Sequence, residues 1–270
     1  MAFENFKQTF WSKHIERELE KKAILAEFTN QKHQGEVKYG NQVKILGVGS
    51  PTIGTYTGAS IGDPEKVEDS SVMMLIDQRP FFNIGVDDVD KMQSVPGYME
   101  AVLDEGAKGL ALKVDSYIAG LAVNAGKLSA TTQINSAAAA KTAIDAGILA
   151  LRENDVAIDA DVVMEIPPFV YQLLKDKYIE LDTANSEMMK KGIVGFYDNV
   201  RVRVSNNLYN DGVDYYGMIR TKNAIAYAKQ GEITEPYRPH DYFEDAVKSM
   251  IVFGAKVVRP KELYAIRAHK

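Results

Sequence analysis

A single apolar stripe constrains the fold more than any other feature of this sequence. Over residues 95–125, apolar side chains recur at steps of three and four: Met99, Val102, Leu103, Leu110, Val114, Tyr117, Ile118 and Leu121. This spacing predicts one amphipathic helix of roughly 40–45 Å. The alternative is two shorter helices that break near Gly106, because glycine weakens a helix. We expect the helix glycines, Gly106, Gly109 and Gly120, to admit another backbone at close range.

A long polar insertion lies ahead of this helix. Alternating apolar residues predict strands near 37–48 and from Val72 through Val86. Residues 50–71 between them are rich in Gly, Ser, Thr and acidic side chains and nearly lack bulky apolar ones. Compact domains rarely keep such a loop unless it acts outside their own core. The pattern predicts a long β-hairpin that needs a neighbour to lie on.

The rest of the chain mixes predicted helices and strands, so the expected fold class is α+β. Residues 193–205 alternate apolar and charged side chains, as one antiparallel strand does. Residues 243–250 are predicted to form a short amphipathic turn. The other expected elements are helices at 136–153 and 169–177, and strands at 162–166, 216–220, 224–229, 251–258 and 263–267.

The composition excludes several classes of function. The chain has no cysteine, which excludes disulfides, thiol nucleophiles and cysteine-bound metal centres. Its four histidines lie far apart, and its net charge of −5 argues against holding nucleic acid by charge. No apolar run approaches the length of a membrane span. We therefore expect no cofactor, no metal site, no catalytic residue and no membrane partner.

The densest carboxylate group is Asp87, Asp88 and Asp90, just before the long helix. Paired acids can bind Mg²⁺ or act as acid and base. No distant histidine or acidic cluster completes such a site, so capping and turn formation are the simpler interpretation. A metal-dependent enzyme using these three aspartates is kept as a distant alternative.

Three segments carry a family resemblance through their order and spacing: VDDVDK at 86–91, GFYDNVRVRVSNNL at 195–208 and FGAKVVRP at 253–260. Together with the hairpin and the long helix, they make the whole chain resemble the major capsid proteins of tailed bacteriophages. Those proteins share their shell fold with encapsulins and herpesvirus capsid proteins. The resemblance implies five parts: an N-terminal arm at 1–34, an extended β-hairpin loop at 35–90, a peripheral domain with a spine helix at 91–135, an axial domain at 136–231, and return strands of the peripheral domain at 232–270.

The resemblance also implies a function. Such a subunit assembles with itself into pentamers and hexamers of an icosahedral or prolate head that encloses double-stranded DNA. The implied partners are a separate scaffolding protein, a portal and decoration proteins, with DNA touched only weakly and non-specifically. The implied location is the virion capsid, assembled in the bacterial cytoplasm. An encapsulin-type compartment shell is the alternative. Expected inter-subunit contacts are Trp11, Asp63, Glu65, Lys66, Glu68 and Asp69.

Overall fold

The computed structural model describes residues 24–33, 40–48, 55, 69–88, 98–158, 160–175 and 193–270. The helices in this part of the chain are α1 (Ile24–Glu27), α2 (Tyr98–Gly120), α3 (Ala137–Glu153) and α4 (Pro168–Leu174), with 3-10 turns at Leu121–Asn124 and Pro260–Glu262. The strands are β1 (Gln42–Val48), β2 (Asp69–Leu75), β3 (Phe81–Asp87), β4 (Lys127–Leu128), β5 (Thr132–Gln133), β6 (Val162–Ile166), β7 (Ile193–Tyr197), β8 (Val200–Val204), β9 (Tyr215–Thr221), β10 (Ile225–Tyr237), β11 (Glu244–Val257) and β12 (Leu263–His269).

The long helix predicted from the apolar stripe is present. Helix α2 runs unbroken through Gly106, so the alternative of two helices that break there is wrong. Its buried face contains four of the predicted apolar residues, together with three alanines: Leu103, Ala107, Leu110, Ala111, Val114, Ile118 and Ala119. Three further residues of the predicted stripe, Val102, Tyr117 and Leu121, are partly buried. The start of the predicted span, 95–97, lies outside the described residues.

The predicted role of the helix glycines is wrong at Gly106 and stays a prediction at Gly109 and Gly120. A Cβ at Gly106 would lie 2.9 Å from the ring of Phe82, so this glycine admits an aromatic side chain and not a backbone. A Cβ at Gly109 or Gly120 would meet no atom of the described chain within 4 Å. Phe82 belongs to β3, so the missing side chain at Gly106 lets that strand pack close against α2.

The predicted hairpin is present at its base. Strands β1 and β2 pair antiparallel from Gln42 opposite Leu75 to Val48 opposite Asp69. The predicted continuation of the second strand through Val86 is wrong, because β3 leaves the hairpin and pairs antiparallel with β11. The strand order of that three-stranded sheet is β10, β11, β3. The interruption falls at 76–80, where Gln78 bridges to Phe253 and Pro80 precedes the new strand.

Two other strand predictions need correction. Residues 193–205 form two strands, β7 and β8, because Asp198 and Asn199 adopt positive φ angles of 46° and 63° and make a two-residue turn. The predicted turn at 243–250 is the first half of β11, which pairs with β10 on one side and β3 on the other. The charged residues in this stretch interrupt the apolar alternation by which a strand is recognised, and one of its two partner strands, β3, is distant in sequence.

A larger mixed sheet has the order β4, β12, β9, β6, β8, β7, with β5 also paired to β12. Ser136 caps helix α3, because its side chain accepts a hydrogen bond from the backbone N–H of Ala139. The apolar face of the helix packs on this sheet. The core around α2 also includes residues of β9 and β12, so these two strands join the two main cores. The five segment boundaries stay a prediction.

Candidate assembly interface and its N-terminal anchor

Residues 24–30 are held against the subunit by buried charged groups, which we call the N-terminal anchor. The first contact comes from Asp115 on α2, whose side chain is buried. Its carboxylate accepts hydrogen bonds from the backbone N–H groups of Ile24, Leu25 and Ala26 at 3.0, 3.1 and 3.4 Å. A single side chain thus satisfies the N–H groups that the short helix α1 leaves without partners.

Two arginines hold the carbonyl groups of the same segment. Arg220 forms a two-pronged pair with Glu165, at 3.0 and 2.7 Å, and both side chains are fully buried. The same guanidinium donates to the carbonyls of Leu25, at 3.0 Å, and Phe28. Because one guanidinium serves both Glu165 and the anchor, neither contact is independent of the other.

Arg203 lies beside this pair. It donates to the carbonyl of Ile24 at 2.7 Å and contacts the carboxylate of Glu27 at 3.3 Å. The ring of Phe28 has the guanidinium carbons of Arg203 and Arg220 within 5.7 Å of its centre. The anchor therefore fixes the backbone of residues 24–28 on the subunit.

Burial sets the ionisation of the anchor. It raises the pKa of Asp115 from 3.8 to about 7; the three backbone hydrogen bonds lower the pKa and the nearby charge of Glu165 raises it. Burial also lowers the pKa of Arg203, against the raising effect of Glu165 and Glu27. The ionised Asp115 is thus costly to bury, although it is the acceptor for the first turn of α1.

Replacing Asp115 by asparagine should remove a pH dependence of stability. The pKa is higher in the folded subunit than in the unfolded chain, so the stabilising contribution of protonated Asp115 is full below pH about 4 and is lost as pH rises through about 7. Each unit by which the pKa differs between the folded and unfolded states changes the free energy of unfolding by about 1.4 kcal/mol. In urea unfolding between pH 5 and 8, the stability of the wild type relative to Asp115→Asn should fall with rising pH. A constant difference would contradict this assignment.

The hairpin packs on the three-stranded sheet through one of its faces. Its inward residues are buried with residues of β10: Val43, Ile45, Met74, Ile76, Ala226 and Ala228. Lys256 adds a hydrogen bond to the carbonyl of Met73 at 2.8 Å, and Gly254 leaves room for the carbonyl of Leu75. The base of the hairpin is therefore fixed on its own subunit.

The residues predicted to contact neighbouring subunits are only partly placed. Asp69 is the first residue of β2 and lies opposite Val48, at the end of the hairpin far from its base. The other predicted contacts lie outside the described residues: Trp11, Asp63, Glu65, Lys66 and Glu68.

The three aspartates considered for a metal site do not form one in the described part of the chain. Asp88 makes an ion pair with Arg238, and its backbone N–H donates to the carbonyl of Phe243 at 2.9 Å. Asp87 ends β3, and Asp90 lies outside the described residues. Within those residues, no three His, Cys, Asp or Glu side chains are close enough to hold a metal ion. None of the helices described there is long and apolar enough to cross a membrane.

The anchor was not predicted from the sequence. The sequence features that could have indicated it are charged residues at positions that the hydrophobic pattern assigns to the core. Glu165 interrupts the apolar strand VVMEI, Asp115 follows Val114 on the buried side of α2, and Arg203 lies in VRVRV. Such charges suggest a buried network, but their partners are distant in sequence and cannot be read from the pattern.

Comparison with known proteins now gives the family. Residues 81–266, well over half of the chain, match the family described as phage capsid protein. The chain belongs to the phage capsid protein family. No curated protein matches the sequence. The family assignment confirms the resemblance to tailed-phage major capsid proteins, and it identifies this capsid protein as a shell-forming structural subunit of the virion capsid.

Solved structures agree with the family assignment. A structure from Mycobacterium phage Che8 is 28% identical to this capsid protein, with a TM-score of 0.74 and 90% of each chain covered. The capsid structure of the cyanophage P-SCSP1u is 14% identical, with a TM-score of 0.71 and coverage of 90% of this chain and 86% of that one. A virus-like particle from Pyrococcus furiosus is 11% identical, with a TM-score of 0.64 and coverage of 96% and 99%. The predicted α+β capsid fold is confirmed.

Proposed function

We propose that this capsid protein forms the pentamers and hexamers of an icosahedral or prolate head that encloses the double-stranded DNA of a tailed phage. The observation that carries the proposal is the hairpin. Its base is fixed on its own subunit, while β1 and β2 lead to the polar residues 49–68, which have few side chains suited to a core. A segment of this kind gains its stability from contacts with a neighbouring copy.

The N-terminal anchor supports a second contact between subunits. Residues 1–23 precede a segment whose backbone is bonded to Asp115, Arg203 and Arg220. With the backbone fixed at Ile24, the role proposed for residues 1–23 is binding to neighbouring subunits, with Trp11 as an apolar contact. The hairpin residues Asp63, Glu65, Lys66, Glu68 and Asp69 supply polar contacts, which depend on salt concentration.

The remaining partners follow from the same function. We infer a separate scaffolding protein, a portal and decoration proteins as partners during assembly in the bacterial cytoplasm. The packaged DNA touches the shell weakly and without sequence preference, because the net charge of −5 gives no general attraction to phosphates. An encapsulin-type compartment shell stays the second candidate, because the resemblance in sequence implies a shell fold that tailed-phage capsid proteins share with encapsulins.

Electron microscopy tests the main proposal. The purified protein is concentrated and imaged in negative stain, where closed shells built from rings of five and six subunits are expected. Particles isolated from the producing cells should contain DNA. Particles that contain protein cargo and no DNA would favour the encapsulin-type compartment. A protein that stays monomeric at every concentration, even with its scaffolding protein present, would contradict both the phage head and the compartment.

Deleting residues 52–68 and closing the gap with a short Gly-Ser turn should leave a folded subunit that cannot build shells. These residues contribute few side chains suited to a core. In the deletion variant, β1 and β2 should still pair with each other and pack on the three-stranded sheet. Circular dichroism and thermal unfolding should resemble those of the wild type, and sedimentation should show no particles. Normal particles from the deletion variant, or a variant that fails to fold, would each contradict the prediction.

A further inference from the structure

The N-terminal anchor is attached to elements of both main cores. Asp115, which binds its N–H groups, lies on α2, whereas Arg203, which binds one of its carbonyls, lies on β8 of the larger sheet. The anchor also pairs with the edge strand β10. The N–H of Asn30 donates to the carbonyl of Ile225 at 2.8 Å, and the N–H of Tyr227 donates to the carbonyl of Asn30 at 3.0 Å. The anchor therefore connects α2, the larger sheet and the three-stranded sheet.

The groove that receives the anchor is lined by groups from other elements. The ion pair between Glu165 and Arg220 is made by β6 and β9, and Asp115 comes from α2. Most polar contacts of the anchor with this groove use its main chain, at Ile24, Leu25, Ala26 and Phe28. Because the lining belongs to the rest of the fold, a local opening of this short segment leaves the strands of both sheets paired.

The charges around Asp115 are already balanced by one another. Titratable and charged groups surround it from every element packed against it: Glu27 on α1, Glu165 on β6, Arg203 on β8, Arg220 on β9 and Tyr227 on β10. Arg220 contacts Glu165, and Arg203 contacts Glu27. Asp115 itself accepts three backbone N–H groups and contacts no cation in the part of the chain that the structure describes. With the anchor docked, an ionised Asp115 is therefore a buried charge without a counter-ion, and the protonated form is favoured.

Opening of the anchor changes the surroundings of this carboxyl. Leu25 and Ala26 are buried and bonded to Asp115, so water reaches the carboxyl when they leave. In water the pKa of Asp115 has its ordinary value of 3.8, whereas burial under the docked anchor raises it to about 7. The contribution of this proton to docking is thus full below pH about 4 and is lost as pH rises through about 7. Burial raises the pKa of Tyr227, so that side chain stays neutral over the same range.

We propose that residues 24–30 form a proton-operated latch, which holds α2 against the larger sheet while the Asp115 carboxyl is protonated and opens locally when that carboxyl ionises. The latch is a property of the single subunit and goes beyond the proposed shell function. When docked, it adds a connection between the two main cores, which are otherwise joined through β9 and β12. A subunit below neutral pH is therefore held more firmly at this junction than a subunit above it.

Amide hydrogen exchange of the unassembled subunit, measured by mass spectrometry between pH 6 and pH 8.5, tests the latch. Exchange is expressed as a protection factor, which removes the intrinsic dependence of exchange on pH. Protection of the Leu25 and Ala26 amides should fall at least tenfold over this range, as expected for a group that titrates at about 7. At pH 8.5 these amides should also be at least tenfold less protected than those of Ile144 and Ile148 on α3, which are buried in the second core. Constant protection of the anchor, or equal protection of the anchor and α3 at every pH, would overturn the proposal.

Two variants identify the group that titrates. Asp115→Asn keeps an oxygen acceptor but does not ionise, so protection of the anchor should no longer depend on pH. Asp104→Asn, a control on the same helix, should keep the pH dependence of the wild type. If Asp115→Asn fails to fold, a carbon-13 NMR titration of the Asp115 carboxyl in the wild type decides, since a midpoint near 7 supports the latch and a midpoint near 4 overturns it. An unchanged pH dependence in Asp115→Asn would also overturn it. Failure of the protein to form shells would contradict the proposed function and leave this test unaffected, because the test uses the single subunit.

Discussion

Replacing Arg220 by methionine is expected to destabilise the subunit by about 3–5 kcal/mol, because it leaves a buried charge without its partner. Glu165 is fully buried and has its charge balanced by this guanidinium at 2.7 Å. The substitution also removes the donor to the carbonyls of Leu25 and Phe28 in the N-terminal anchor. A typical domain has a free energy of unfolding of about 5–15 kcal/mol, so this substitution would remove a large part of the stability of the subunit.

Urea unfolding of the soluble subunit measures this loss. Arg259→Met is the matched control, because Arg259 pairs with Glu262 at 2.8 Å but its side chain is 59% exposed. Exposed ion pairs contribute about 0–1 kcal/mol, so the control should change little. The double variant Arg220→Met/Glu165→Leu should recover part of the loss, because both buried charges are then absent. Equal stability of Arg220→Met and Arg259→Met would show that the buried pair is not formed.

The second large effect is expected on α2. Leu110→Asp or Val114→Asp places a carboxylate in a core where the original side chain is 3% or 0% exposed. Both residues belong to a cluster of buried apolar side chains. Burying such a charge costs several kcal/mol, which is a large part of the stability of a typical domain. Either variant should therefore be largely unfolded or insoluble at about 37 °C.

The control substitutions lie on the opposite side of the same helix. Lys108 and Lys113 are exposed, and Lys108 makes only a surface pair with Glu105 at 3.3 Å. Lys108→Ala and Lys113→Ala should change the free energy of unfolding by less than about 0.5 kcal/mol. Circular dichroism and soluble yield compare the four variants. Equal tolerance on both sides would mean that the buried face of α2 is assigned wrongly.

The sequence by itself determined the elements whose signal is local. Helix α2 follows from an apolar period that persists over its whole length, and helix α3 was predicted over 136–153, where four consecutive alanines favour a helix. The base of the hairpin follows from two alternating stretches on either side of a polar insertion. Strand β6 was predicted from a short run that is apolar except for Glu165, and all of its residues are buried. In each case the period and the end signals lie within one segment of the chain.

Only the tertiary structure decided which strands pair and which charges are buried. Strand β3 continues the hairpin in sequence, yet it pairs with β11, because the preference for a partner strand is set by packing on α2 and not by the strand itself. Residues 244–250 are too charged to be recognised as a strand, but partners on both sides hold them in the sheet. The anchor joins Arg220 to Glu165 and to Leu25, which are 55 and 195 residues away along the chain. A buried charge is stable only beside a partner that the fold supplies, and the local pattern carries no information about a partner so far away.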